Sequence, residues 1–292
     1  MMKVIIFGSE STGMALAQKT LENAYEGGGI EILCCVDNNP KRWEQSIQIP
    51  TSKGTKTLEI KNPEILKTTS FDKILIASLS GYEAIPKQLQ SDFKIPREKI
   101  DTSYCMLCIE ARLAFLEYFS KITKNFNLGG AVAELGVFQG DFAKKINEFF
   151  PNRKLYLFDT FEGFDTRDLH NEAQSVQALG SHLTNTSIDL VLNKMPIPEM
   201  VTIKQGWFPE SAKGIEEEIF CFVNIDTDLY DSILSGLEFF YPKMCKGGVI
   251  LIHDYFSLGY IGVKKAVDTF ANKYNLYILP IGDSISVAIM KV

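Results

Sequence analysis

Four polar side chains follow two apolar runs. EIFCFV leads into NIDTDLYDS, which carries Asp226 and Asp228, and VILI leads into His253 and Asp254. In an open parallel sheet, ligands bind where the strands end at their carboxyl side. Residues at i and i+2 of a strand share a face, so the spacing aims Asp226 and Asp228 at one spot. Carboxylate oxygens suit a hard cation such as Mg2+ at ~2.1 Å. A cation bound to a hydroxyl stabilises the alkoxide as it forms, and a nearby carboxylate accepts the proton. The metal-free alternative uses His253, with its near-neutral pKa, as the base. A third reading, a solvated strand terminus, fits less well with three acids and a histidine meeting at one edge.

A second constellation lies in AVAELGVFQGDFAKKI, residues 131–146. An apolar strand ends in Glu134, Gly136 and Gly140 bracket a turn that includes Gln139, and a helix starts near Asp141. The spacing acid-x-G-x-x-x-G suits S-adenosylmethionine. That donor has no phosphate, so the turn must admit an adenosine and a cationic amino acid, and Glu134 can take up the ammonium group. KLYLFD ends in Asp159, placed to meet ribose hydroxyls. An NAD site is the rival, because a ribose-binding acid serves both cofactors; the glycine spacing favours S-adenosylmethionine.

These residues need strand tips to present them, and the chain supplies an alternation of strands and helices that reads as an α/β fold. A first unit, residues 1–103, contains KVIIFG, EILCCVDNN and KILIAS as strand-like runs. It reads as a smaller Rossmann-like domain. Its turn GSESTG, with Gly8 and Gly13, precedes a helical stretch, and Asp37 ends the next strand. The spacing G-x-x-x-x-G lacks the middle glycine that lets a pyrophosphate approach, so a turn that needs glycines for packing is the preferred reading. A role in holding a sugar nucleotide, or in forming a substrate wall or dimer interface, is the alternative.

A second unit, 104–292, opens with an amphipathic helix at about 104–124. It then reads as a Rossmann-like methyltransferase domain: a parallel sheet closed by an antiparallel edge hairpin around 282–284. Between the second strand and the next runs a long irregular insert, about 160–198, expected to form a flap over the site. His170 and His182 lie in it and read as solvated loop residues.

Composition narrows the partners. Net charge is -6 over 292 residues, with acids and bases interspersed. This argues against nucleic acid or an anionic membrane. No apolar run approaches the ~18 residues of a membrane span, and the N-terminal apolar run is too short for a signal peptide, so a cytoplasmic location is expected. A small-molecule acceptor is the expected partner, and a homo-oligomer is left open. The six cysteines, including the Cys105–Cys108 pair, read as core packing.

From about 105 to 275 the chain resembles the macrocin O-methyltransferase (TylF/MycF-like) family of sugar O-methyltransferases. The resemblance rests on ARLAFLEY, VAELGVFQGDF, LFDTFEGF, QGWFPES, NIDTDLYDS, YPKMCKGGVILIHDY and VKKAVDTF, in that order. It implies S-adenosylmethionine, a divalent metal, usually magnesium, and methylation of a hydroxyl on a sugar or sugar nucleotide. By position, Asp226, His253 and Asp254 correspond to the metal ligands and Asp228 to the base. QGWFPES then lies near the cofactor, where Trp207 packs on adenine or on the flap; core packing is the competing use. The sequence departs from the family at His253, where an acid is expected. Imidazole softens the ligand set and brings Mn2+, iron or zinc into range.

Overall fold

The computed structural model describes residues 1–172 and 183–292. His182 and the middle of the insert lie outside the described residues. The chain forms two compact units, Met1–Glu110 with Ser257–Gly259, and Ala111–Phe256 with Tyr260–Val292.

The first unit holds β1 (Met2–Phe7), α1 (Ser11–Asn23), β2 (Ile30–Val36), β3 (Ser46–Thr51), β4 (Gly54–Lys61), β5 (Lys73–Ile76), α2 (Ala84–Ser91) and β6 (Ile100–Asp101). Its sheet order is β3-β4-β2-β1-β5-β6, parallel except for the β3–β4 hairpin. Strand order therefore reverses at β1, as in doubly wound sheets. The glycines after β1 have packing reasons. A Cβ on Gly8 would stand 2.3 Å from the Ala77 carbonyl oxygen, and one on Gly13 would stand 2.1 Å from the Gly8 carbonyl oxygen. Asp37 is engaged within the same turn. One carboxylate oxygen accepts from the Ser9 amide at 3.1 Å and the Ser9 hydroxyl at 2.5 Å, and the other accepts from the Asn39 amide at 2.9 Å.

Helix α3 (Ser103–Asn125) starts in the first unit and ends in the second. The second unit continues with β7 (Ala131–Leu135), α4 (Asp141–Phe149), β8 (Leu155–Asp159), α5 (Ile188–Lys194), β9 (Val201–Gln205), β10 (Phe220–Ile225), α6 (Tyr230–Phe240), β11 (Met244–Ile252), α7 (Ile261–Tyr274), β12 (Leu279–Pro280) and β13 (Val287–Met290). The sheet order is β12-β13-β11-β10-β7-β8-β9. All pairings are parallel except those of β13, which runs against both β11 and β12. The expected edge hairpin is present, and its second strand is the one that joins the sheet. Both β7 and β10 are buried at every position, because helices cover the two faces of a parallel sheet. An aromatic cluster seals one face: Phe240 stacks or meets edge-on with Phe158, Phe208 and Phe220 at ring separations of 5.7, 5.6 and 5.2 Å.

Three features differ from the sequence reading. The β3–β4 hairpin went unread because its outward positions are polar and it adds little apolar signal. The insert is not irregular throughout: it contains α5, which starts at Ser187, whose hydroxyl accepts from the Leu190 amide at 3.2 Å. Last, β10 and β11 stop at Ile225 and Ile252, so the acidic residues lie in the turns beyond them. Strand alternation does not aim Asp226 and Asp228; the turn does, with Asp228 in the left-handed region at φ 65°.

Candidate active site

In the second unit, strand order reverses between β7 and β10, and the expected turn follows β7 at that point. Gly136 has φ 86°, and a Cβ there would stand 2.1 Å from the Asp226 carbonyl oxygen. The Asp226 amide donates to the Leu135 carbonyl at 2.8 Å, and the Gly136 amide donates to that of Phe158 at 2.9 Å. Gly140, at φ 78°, opens α4. The side-chain amide of Gln139 reaches across to the Asn185 carbonyl at 2.7 Å, and the Thr186 hydroxyl donates to the Phe138 carbonyl.

Glu134 is buried, at 2% exposure. One oxygen, Oε1, accepts from the Asn224 side-chain amide at 2.8 Å; Oε2 has no hydrogen-bond partner among the described residues. Burial pushes the Glu134 carboxyl well above the usual carboxylate range, with Arg112 opposing and Asp226 adding to the shift. Asp159 braces the turn. Its Oδ2 accepts from the amides of Val137 and Phe138 at 2.7 and 2.9 Å, and its Oδ1 from that of Phe161 at 2.7 Å. Three amide bonds on one carboxylate leave room for little more than one further donor.

Asp226, His253 and Asp254 each turn a ligand atom toward a common point, all within 4.8 Å of one another. His253 Nδ1 lies 2.7 Å from Asp254 Oδ2 and 3.2 Å from Asp226 Oδ1. The other oxygen of Asp226 accepts from Arg112 at 2.9 Å, while Asp254 Oδ1 is buried with no partner among the described residues. Burial and Arg112 both work against a charged imidazole, but Asp226 and Asp254 outweigh them and push His253 up to about 10. For Asp226, burial is outweighed by His253 and Arg112, which hold its carboxyl well below the usual range. Asp228 is not among the three gathered residues. Burial, then the charges of Asp254 and Asp226, push its carboxyl well above the usual range.

Trp207 is half-buried. Its indole N–H donates to Asp168 at 3.0 Å, and the Arg167 guanidinium lies 4.1 Å from the ring centroid. It is thus tied to the first part of the insert, while its neighbour Phe208 enters the aromatic core. The same stretch reaches the start of α6, where Glu172 accepts from the Tyr230 amide at 2.8 Å and Asn171 donates to Asp231 at 2.9 Å. His170 is exposed.

Sequence reasoning missed Arg112 and Asn224. Arg112 donates through one nitrogen to Asn224 at 3.0 Å and to Asp226 at 2.9 Å, and it stacks on Phe142 at 4.1 Å. The available signal was Asn224 itself: a polar residue inside an otherwise apolar buried strand requires partners.

A family model described as Macrocin-O-methyltransferase (TylF) matches residues 59–283, and one described as C2185-like, N-terminal, matches residues 1–101. Among curated proteins, the chain is similar to the 8-demethyl-8-(2,3-dimethoxy-alpha-L-rhamnosyl)-tetracenomycin-C 4'-O-methyltransferase of Streptomyces olivaceus, at 24% identity over 157 residues, 49% of this chain and 60% of that protein. It is also similar to the mycinamicin III 3''-O-methyltransferase of Micromonospora griseorubida, at 23% identity over 159 residues, 49% of this chain and 62% of that protein. The chain thus spans about three-fifths of the length of these relatives. Among solved structures, the O-methyltransferase NovP superposes with TM-score 0.53 at 22% identity, covering 62% of this chain and 80% of its own. The calicheamicin methyltransferase CalS11 superposes with TM-score 0.52 at 14% identity, covering 72% of this chain and 91% of its own. At these identities the likeness is one of fold.

Proposed function

Because the chain belongs to the macrocin O-methyltransferase family, whose model covers residues 59–283, we propose that it methylates a hydroxyl of a sugar or sugar-containing small molecule. S-adenosylmethionine is the donor and a divalent cation assists. On this reading, residues 104–292 form the catalytic domain and residues 1–103 a nucleotide-binding-like unit.

The observation that carries the reading is the packing of Gly136 on Asp226, which sets a donor-type turn against the acidic cluster at the sheet's switch point. Two buried oxygens without partners among the described residues fit the groups invoked: Glu134 Oε2 suits a cationic ammonium, and Asp254 Oδ1 suits a metal ion. When bound, the donor supplies an electrophilic methyl group and the cation supplies charge stabilisation to the acceptor oxygen. Gly136, Gln139 and Gly140 shape the donor turn, Asp159 holds it and stands ready for a ribose hydroxyl, and Trp207, tied to the insert through Asp168, would pack on the adenine or on the flap. Asp226, His253 and Asp254 would hold the cation, Mg2+ or Mn2+. Asp228, which corresponds by position to the family's base, would accept the hydroxyl proton; the charges of Asp254 and Asp226 push its carboxyl up, and a cation held by those two would offset them and leave it ionised for that role. The metal-free alternative with His253 as base loses support at neutral pH, where an imidazole with a pKa of about 10 has no free lone pair.

The test is methyl transfer from S-adenosylmethionine by the full chain to a panel of deoxysugar-bearing acceptors, followed by mass spectrometry. Transfer should be abolished by EDTA and restored by Mg2+ or Mn2+. Undiminished transfer after chelation would remove the metal role. Stabilisation by NAD in thermal melts, with none by S-adenosylhomocysteine, would overturn the whole reading.

A further inference from the structure

Asn224 pairs across the sheet with Glu134, β10 against β7, and it is fully buried. Its side chain accepts from Arg112 Nη2 at 3.0 Å and donates to Glu134 Oε1 at 2.8 Å. It thus stands between a guanidinium and a carboxylate. Each of these retains a buried atom with no partner among the described residues, Arg112 Nε and Glu134 Oε2. A guanidinium in a low-dielectric interior draws a nearby carboxyl toward its ionised form and into a pair, and a neutral group that bonds to both is what keeps the two apart.

We propose that Asn224 is a positioning residue: it holds Arg112 on Asp226 and off Glu134, so that the Glu134 carboxylate stays free for the cationic end of the methyl donor. The inference rests on the assignment of Glu134 to that role. Asn224 is suited to it because its amide offers both an acceptor and a donor, without a charge that would bias either neighbour. Arg112 is fixed from its other side by the Phe142 ring at 4.1 Å, and its charge already acts on Glu134, so removal of Asn224 opens Glu134 to it. A Glu134 carboxylate paired with Arg112 is lost to the donor.

The test is a double-mutant cycle read by calorimetric binding of S-adenosylhomocysteine to the full chain, with melting curves to establish folding. Asn224→Ala should weaken binding roughly tenfold or more, the size of a charge-assisted hydrogen bond. In an Arg112→Gln background, where no cation remains to capture Glu134, the same Asn224→Ala change should weaken binding by no more than about twofold. A purely structural role for Asn224 predicts equal losses in both backgrounds, and that result overturns the proposal. So does wild-type affinity in Asn224→Ala. Should Asn224→Ala fail to fold, Asn224→Ser takes its place in the cycle and is read in the same way. Absence of binding by the wild-type chain would instead overturn the donor assignment.

Discussion

Gly136 and Asp226 sit so close that a single methyl group on the former would stand 2.1 Å from the carbonyl oxygen of the latter. Gly136 also has φ 86°, a region L side chains rarely adopt. The glycine turn after β7 and the acidic tip of β10 are therefore built as one piece. Gly136→Ala should destabilise the second unit by about 2–4 kcal/mol, from left-handed strain together with the displaced strand tip. Urea titration measures that loss. The substitution should also weaken binding of both S-adenosylhomocysteine and Mn2+; a variant that loses only one of the two would show the turn and the tip to be independent.

His253 leads to a prediction about pH. Its pKa in the folded chain is raised, to about 10 against 6.5, by Asp226 and Asp254. A raised histidine contributes stability that is fully present below its unfolded pKa and is lost as pH rises through the folded one. Without metal, the melting temperature of the wild type should fall between about pH 6.5 and 10, and His253→Gln should flatten that slope. A divalent ion needs the unprotonated ring, so binding should release a proton and tighten as pH rises across the same window. Calorimetry in buffers of different ionisation enthalpy counts the proton. Binding without proton release would remove His253 from the ligand set.

The alternation of strands and helices, the glycine turn after β7 and the acidic strand ends were legible in the sequence because their signals are local. Glycine spacing marks Gly136 and Gly140, and an apolar run followed by an acid marks Glu134, Asp159 and Asp226. What escaped was either non-local or lacked apolar contrast. The Arg112–Asn224 bond joins residues 112 positions apart, and nothing in ARLAFLEY indicates which carboxylate its arginine will find. The β3–β4 hairpin shows too little alternation to stand out. The spacing of Asp226 and Asp228 places them together at a strand's end, but strand alternation does not aim them. The strand stops at Ile225, and a left-handed residue at Asp228 re-aims the side chain. Trp207 could not be placed from sequence, since its partners Arg167 and Asp168 belong to an insert with no periodicity.

Phe240 offers a test of the core apart from the site. It is fully buried and contacts Phe158, Phe208 and Phe220. Phe240→Ala should cost about 3–5 kcal/mol by leaving a cavity among rings that cannot collapse together. Measured well below the melting temperature, affinity for S-adenosylhomocysteine should change little, because none of these rings bonds to Glu134, Gly136 or Asp159. A large affinity loss in a fully folded variant would show that the aromatic cluster sets the position of β7.

Asp228 separates proton transfer from binding. It lies just past Asp226 yet outside the three-residue cluster; burial and the charges of Asp254 and Asp226 raise its carboxyl, so it can receive a proton from an acceptor hydroxyl only with a cation in place to offset those charges. Asp228→Asn keeps shape and hydrogen bonding but cannot take up that proton at neutral pH. Methyl transfer should fall by roughly 10²- to 10⁴-fold, the usual contribution of a general base. Affinities for S-adenosylhomocysteine and Mn2+ should stay within about threefold, a limit set by removing one nearby charge. If turnover survives and metal affinity collapses, Asp228 is a ligand and the base must be sought elsewhere. If both survive, the acceptor hydroxyl loses its proton to solvent, and the elevated carboxyl pKa of Asp228 is a by-product of crowding three acidic residues around one histidine.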